Sequence, residues 1–342
     1  MHPIRSALRV AGSLWFAAVL LVLLMVAMGS ATVFEQRHGS ERALAEFYRA
    51  AWFRVLLVLV AVNAAAALAA CWPFHRRQIG FLLTHGGILV VLAGTLATRH
   101  FAVQGQVVIA EGETAEALVT ADPVLAIEDV SRGRTARIML DPGVFTGFRA
   151  VVSPVSVPLE LGPIRRVEVL RYLPARVGPQ ADARAAAGPA VEVRLIADAE
   201  SPGVWLRKHE PRRLEVAGAQ LELRFENRTV PLGFELELRQ FRIGYYPGRT
   251  RPRSFESHVT VRDRGADLVA DRVIRMNHPL SHGGYTFYQS SYRETPTGNV
   301  NFLSVSRDPG QPIVFAGYLL TILGLLWVLV LRMRDPARAA RH

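Results

Sequence analysis

Residues 81–98 read FLLTHGGILVVLAGTLAT, an apolar run of membrane length interrupted by one ionisable side chain, His85. A helix needs about 20 such residues to cross the hydrocarbon. An ionisable group at that depth is costly, so it marks either a functional site or a buried partner. A neutral imidazole costs less than a full charge. His85 is therefore either a ligand or proton-path residue, or a structural group hydrogen-bonded to a carbonyl or hydroxyl of an adjacent helix.

Working outward, three more stretches are apolar and uncharged: Leu14 to Phe34, Val55 to Trp72, and Pro312 to Leu331. They predict an α+β membrane protein. Residues 1–98 form a membrane region with spans at about 14–34, 55–72 and 80–98. Residues 99–311 form an extracytoplasmic, mainly β domain, 312–331 a fourth span, and 332–342 a cytoplasmic tail. The first span resembles a signal peptide ending at Gly29-Ser30-Ala31. Its apolar run exceeds the 7–15 residues of such peptides, which favours a retained helix.

Orientation follows the basic flanks. Arg5 and Arg9 precede the first span, Arg76 and Arg77 separate the second and third, and Arg332, Arg334, Arg338 and Arg341 follow the last. Arg37, Arg42 and Arg49 in the first loop are accompanied by Glu35, Glu41 and Glu46. Both termini are thus expected inside and the large domain outside, in the inner (cytoplasmic) membrane. Trp15, Trp52, Trp72 and Trp327 lie near span ends, where indole favours the headgroup level.

The net charge is +11 and the pI about 10.7. The basic residues are scattered, Lys is nearly absent beside Arg, and no nucleic-acid motif accompanies them, so nucleic acid is excluded as a partner. The one cysteine, Cys71, ends the second span. The outer domain therefore has no disulfide and must be held by its core. Without C-x-x-C-H the chain is not itself a c-type cytochrome. No nucleophile–base pair, paired carboxylates or phosphate loop is present, so no catalytic side chain is expected.

In the outer domain, Ala190 to Ala197, Leu221 to Glu226, Phe234 to Phe241 and Ser257 to Arg262 alternate apolar and polar residues with period two. Gly-Pro punctuation separates them. An antiparallel sandwich or a pair of small sheets is expected, with a loose Ala-rich loop over Gln180 to Gly188. His278 and His282, in NHPLSHGGYTFYQSSY (277–292), lie four apart in a turn. No cysteine or carboxylate joins them at ligand-like spacing, so a solvated turn is the expectation, with metal binding the lesser alternative. Tyr245-Tyr246 and Phe255 suggest exposed loop aromatics.

In the His85 helix, Gly80, Gly87 and Gly94 recur every seven residues. Such a stripe admits a neighbouring helix at close range. At about 100° per residue, Gly87 and Gly94 lie roughly 180–200° from His85, so the seam packs on this chain while His85 points away. No other span contains a histidine. If His85 ligates a metal, the second ligand must come from another chain. Neutral imidazole is a good axial ligand for haem iron.

Taken together, the chain resembles the ResB (CcsB) family of cytochrome c biogenesis proteins, the System II type, over nearly its whole length. The resemblance rests on Gly29 and Gln36, Trp52-Phe53, Asn63 and Cys71, and Gly80-Phe81 with His85-x-Gly87 and Gly94. It continues through Gly105, Glu111-Gly112, Phe241, Tyr245-Tyr246, Gly248, Phe255, Ser257, Asn277-x-Pro279, Gly284 and Tyr288-Gln289-Ser290. It implies a non-catalytic subunit of a haem delivery and cytochrome c synthase complex with a polytopic ResC (CcsA) partner. That pair brings haem b, held transiently, to the outer face for attachment to apocytochrome c. In such a complex His85 is an axial ligand of haem iron, paired with a histidine of the partner. The outer domain is shorter than in many relatives. The alternative is a membrane-anchored extracytoplasmic binding or sensor protein without haem.

The predicted topology is checked by reporter fusions. Fusions at Pro142 and Gly188 are expected to be exported and those at His75 and His342 retained; export at His75 would overturn the three-plus-one arrangement.

Overall fold

A computed structural model of the chain describes residues 8–39, 43–48, 50–140, 155–173, 189–197, 201–248, 251–296 and 298–334. The expected Ala-rich loop at 180–188 and the tail from 335 onward lie outside these residues. The chain forms two compact units, Met1–Ala102 with Asp308–His342, and Val103–Arg307.

The first unit is helical. α1 (Leu14–His38), α2 (Ala51–Ala70), α3 (Ile79–Phe101) and α4 (Gln311–Arg334) are each long and apolar enough to cross a membrane. With this unit the chain is a multi-pass membrane protein. Ser13 caps α1, its hydroxyl accepting from Phe16 N–H at 3.2 Å. Just before it the chain breaks at Gly12, which abuts the backbone of Ala66 and Ala67 on α2. Asn63 of α2 donates to the carbonyls of Ala11 (2.6 Å) and Ser13 (3.3 Å). A polar side chain inside an apolar span thereby satisfies the Ala11 carbonyl at the helix break, while the Ser13 carbonyl also accepts from Ala17 N–H at 3.0 Å.

The glycine stripe of α3 packs on α4, which carries the same stripe at Gly310, Gly317 and Gly324. The helices run antiparallel, so Gly80 meets Gly324, Gly87 meets Gly317, and Gly94 meets Gly310. A Cβ on Gly87 would lie 2.7 Å from the Gly317 carbonyl oxygen, and one on Gly317 2.8 Å from that of Gly87. No side chain fits there, and backbone approach of this kind is what drives helix association in lipid. The flanking threonines keep the seam free of unpaired hydroxyls. Thr84 donates to Gly80 O at 2.8 Å and Thr321 to Gly317 O at 2.9 Å. Thr98 donates to Asp308 at 2.8 Å, whose same oxygen accepts from Gly310 N–H and Gln311 N–H at the start of α4.

The second unit is antiparallel β. One sheet holds β1 (Val103–Ala110), β2 (Thr114–Asp129), β3 (Arg134–Met139), β8 (Arg212–Val216), β9 (Ala219–Tyr245), β10 (Pro252–Asp263), β11 (Leu268–Arg275), β12 (Leu280–His282), β13 (Tyr285–Thr295) and β14 (Gly298–Arg307). Its main path runs β11-β10-β9-β2-β1-β14-β13-β12. A smaller sheet runs β4 (Val155–Leu161), β5 (Ile164–Leu173), β6 (Ala190–Ile196) and β7 (Val204–Arg207). β2 and β9 are long enough to serve two cores. Leu125, Ile127, Leu223 and Phe225 pack with Val167 and Val193 of the small sheet, whereas Leu118, Leu236 and Leu238 pack with Val259, Phe287 and Leu303.

The small sheet thus lies over one end of the large sheet, as a sandwich requires. The large sheet is longer than the alternation alone suggests. Leu221–Glu226 and Phe234–Phe241, expected as separate strands, belong to one strand. Pro231 between them falls opposite Ala117, where β2 and β9 slip register, so the missing N–H bends the strand without ending it.

The seam predicts an asymmetry between neighbouring glycines. Gly87→Leu is expected to cost roughly 1–3 kcal/mol or more through overpacking and to lower accumulation and the unfolding midpoint in detergent. Gly86→Leu, whose Cβ position has no atom within 4 Å, is expected to leave both unchanged.

Candidate functional site

His85 lies six residues into α3, roughly 9 Å along the axis from its first residue at about 1.5 Å per residue. It therefore lies between the middle of the span and its Arg76–Arg77 end. Its face is opposite the glycine seam, and it is half-buried. Nδ1 lies 3.1 Å from the carbonyl oxygen of Phe81, one turn earlier, and the Phe81 ring sits against the imidazole at 4.0 Å between centroids. A carbonyl only accepts, so Nδ1 carries the hydrogen and Nε2 keeps its lone pair. Among the described residues Nε2 has no hydrogen-bond partner. This is the arrangement of a metal-ligating histidine, whose other nitrogen is usually fixed by a carbonyl or carboxylate.

The same local geometry recurs at His38, with Nδ1 3.2 Å from Phe34 O and the rings stacked at 4.2 Å. His38 is exposed at the end of α1. What distinguishes His85 is its depth within an apolar span. No group of three or more His, Cys, Asp or Glu suited to a metal occurs among the described residues.

His278 and His282 are not alike. His278 is exposed in the turn after Asn277, which adopts φ 62°. Its backbone exchanges hydrogen bonds with Arg275 at 3.0 and 3.1 Å. His282 departs from the solvated-turn expectation. It ends β12, its side chain is 18% exposed, and its Nε2 lies 2.8 Å from Asp263 Oδ2. Its ring stands edge-on to Phe234 at 4.6 Å. The hairpin that follows turns on Gly283 and Gly284, with φ of 58° and 78°. Positive φ at both central residues is the type I′ turn that two-residue hairpins favour. The partner of His282 is 19 positions earlier in sequence, so local spacing carried no sign of it.

Asp263 is held by three donors. Oδ2 faces His282, and Oδ1 accepts from Gly265 N–H (3.0 Å) and Ala266 N–H (3.1 Å). The bond from His282 and these backbone donors hold its carboxyl below the usual range, burial opposing them.

Ser257, Gln289 and Asn301 close a polar ring inside the larger sheet, with Ser257 and Asn301 fully buried. Ser257 Oγ donates to Gln289 Oε1 at 2.6 Å, Gln289 Nε2 to Asn301 Oδ1 at 2.7 Å, and Asn301 Nδ2 back to Ser257 Oγ. Every member is paired and none ionises, so the ring fixes β10 against β13 and β14 and carries no chemistry. Asn301 was not singled out by sequence, because a lone Asn in an alternating strand gives no signal. Glu111, in the turn between β1 and β2, accepts from Phe241 N–H. Phe241, Phe255 and Tyr292 form a cluster with ring centroids 5.2–6.3 Å apart. Burial raises the Tyr292 phenol. Tyr245, which ends β9, and Tyr246 are 49% and 47% exposed beyond this cluster, whereas Phe255, expected with them in a loop, is half-buried in β10.

A model of the ResB-like family matches residues 213–304, from β8 through the polar ring into β14. Over 332 residues the chain is 28% identical to Protein NrfI of Wolinella succinogenes, an alignment covering 94% of this chain and 34% of NrfI. The chain therefore spans about a third of the length of that relative. The family match bears out, over residues 213–304, the resemblance to the ResB family read from the sequence.

The Asp263–His282 pair gives a pH-dependent contribution of definite sign. The lowered carboxyl stabilises the fold fully above the unfolded value of about 3.9 and loses that contribution as pH falls through the folded value. Asp263→Asn is expected to lower the thermal midpoint of the β unit at pH 7. The difference from wild type should shrink below about pH 4, as read by circular dichroism of the full chain in detergent.

Proposed function

We propose that this ResB-like chain is the ResB-type subunit of a haem delivery and cytochrome c maturation complex in the inner membrane. The β unit lies outside the cytoplasm and a ResC (CcsA)-type polytopic protein is the partner. The observation that carries the proposal is His85. It is an imidazole inside an apolar span, with Nδ1 committed to Phe81 O and Nε2 without a hydrogen-bond partner among the described residues. In hydrocarbon such a group is retained for a purpose. No group of three or more metal-ligating side chains occurs among the described residues, and on this reading a histidine of a second chain completes the pair.

The chain's residues fit haem in three respects. Nε2 of His85 supplies one neutral nitrogen ligand. The Phe81 ring and Phe81 carbonyl fix the orientation of the imidazole. Gly86 leaves the flank of His85 bare, with no atom within 4 Å of its Cβ position. When bound, haem b supplies the vinyl groups to which the thiols of an apocytochrome c are joined. This chain would contribute position and protection: His85 would hold the group, burial in the bilayer would exclude water, and the reactants would be brought into proximity. Its glycine seam is spent on α4, which leaves the His85 face for the partner. No catalytic side chain is assigned to the chain, and the β unit is the part available to apocytochrome c.

His85→Ala tests this. The variant is expected to insert and fold, since it removes a side chain facing away from the α3–α4 seam. It should strip haem from the copurified two-chain complex and abolish cytochrome c maturation, with imidazole restoring part of the haem. His278→Ala and His282→Ala are expected to retain haem. Normal haem content and maturation in His85→Ala would make His85 structural and favour a binding or sensor protein.

A further inference from the structure

We propose that the open end of the β9–β10 hairpin, formed by Tyr245, Tyr246, Arg251 and Arg253, docks an acidic segment of another protein. This surface belongs to the β unit and involves neither His85 nor a cofactor. β9 runs on past the turn between β1 and β2, where Gly112 N–H donates to Leu238 O at 2.7 Å. Tyr245 thus lies beyond the end of the β1–β14 ladder that holds Ala110 and Val300. Val103 and Arg307, from which the chain leads to α3 and α4, are at the other end of that ladder. An end remote from both connections suits a protein partner rather than a lipid surface.

The hairpin is held in place. The cluster of Phe241, Phe255 and Tyr292 packs at its root, and Tyr246 N–H donates to Arg251 O at 3.4 Å across it. Pro252 lies opposite Tyr245 and Ser254 opposite Gly244, so Arg253 between them has no partner on β9. A bulge of this kind re-aims a side chain. Here the Arg253 guanidinium carbon lies 6.0 Å from the centre of the Tyr246 ring, and all four side chains of the surface are exposed. Their charge is uncompensated. From Leu238 to Phe255 the sequence carries five arginines and no Asp or Glu. Arg239 lies 3.6 Å from Glu237, but Arg251 and Arg253 have no ion-pair partner among the described residues. Glu256, the next carboxylate along β10, is 3.7 Å from His258 and 4.0 Å from Arg275. Glu294 on β13 forms no ion pair with either arginine among the described residues. A guanidinium fork binds a carboxylate through paired hydrogen bonds. Tyr and Arg, moreover, are the residues on which protein interfaces depend most. Two open forks beside two tyrosines therefore match a chain segment that carries carboxylates next to an apolar or aromatic residue.

The test titrates the full-length chain, in phosphatidylcholine nanodiscs, with the fluorescein-labelled peptide EEFEELEE and its uncharged counterpart QQFQQLQQ, read by anisotropy. Wild type is expected to bind the acidic peptide roughly tenfold or more tightly than the uncharged one, the scale of a charged hydrogen bond. Arg251→Gln/Arg253→Gln should lose that preference, and Tyr246→Leu, which keeps the charge, should weaken the acidic peptide several-fold. Arg212→Gln/Arg228→Gln removes the same charge from exposed sites elsewhere in the β unit and should bind as wild type does. If the Arg251→Gln/Arg253→Gln variant fails to fold by circular dichroism, Arg251→Lys/Arg253→Lys keeps the charge without the forks and should still weaken the acidic peptide. Equal weakening by the two Arg→Gln pairs, or unchanged binding in Tyr246→Leu, would reduce the attraction to diffuse net charge and overturn the docking site. Failure of wild type to bind the acidic peptide overturns it too. Flotation of those nanodiscs with phosphatidylglycerol vesicles, lost in Arg251→Gln/Arg253→Gln, would then assign the hairpin to a lipid surface.

Discussion

Two helix backbones touching at three pairs of glycines is the constraint on which the membrane unit depends. Lipid offers no hydrophobic drive between helices, so association rests on close packing. The pairs Gly80–Gly324, Gly87–Gly317 and Gly94–Gly310 provide it at every second turn. Because one stripe is fixed against α4, the opposite face of α3 is fixed as well. That face carries His85. The orientation of the candidate ligand is thus a consequence of where side chains are missing rather than of any contact His85 makes.

The β unit follows a different logic. Its two cores share β2 and β9, so the register slips at Ala115–Ala117 and Val119–Pro123 determine where one core ends and the next begins. In the second core the polar ring of Ser257, Gln289 and Asn301 sits among fully buried apolar side chains. A network of this kind costs stability if any member is lost and specifies one strand arrangement when complete. The ResB-like match covers this part of the chain. That stretch holds the side chains that tie these strands together, whereas His85 lies outside it, in the membrane unit.

The sequence made the four spans legible because length and absence of charge suffice to identify them. The seven-residue glycine period of α3 was also legible. The matching period at Gly310, Gly317 and Gly324 was equally present, and its pairing emerges only when the helices are laid antiparallel. Strand number was harder to read. Pro231 and Gly233 look like punctuation, yet β9 runs through them because β2 continues to pair alongside. The environment of His282 was not legible at all, since its partner Asp263 is brought to it by strand pairing. The candidate site was readable in His85 itself, as a polar residue where polarity is expensive. Its tautomer was not, because that depends on the Phe81 carbonyl lying within reach of Nδ1.

The pairing of β1 with β14 sets an order of events during synthesis. Val103, the first residue of the β unit, lies opposite Arg307, its last, and the ladder continues to Ala110 opposite Val300. Contacts of such long sequence separation are slow to form, because the chain between must be closed into a loop first. β1 emerges from the ribosome immediately after α3 but has only β2 to pair with until nearly the whole unit has been made. Its other edge stays open through that interval, and an open edge is a template for wrong partners. The polar Gln104 and Gln106 and the side-chain-free Gly105 on that strand make it a poor template while it waits.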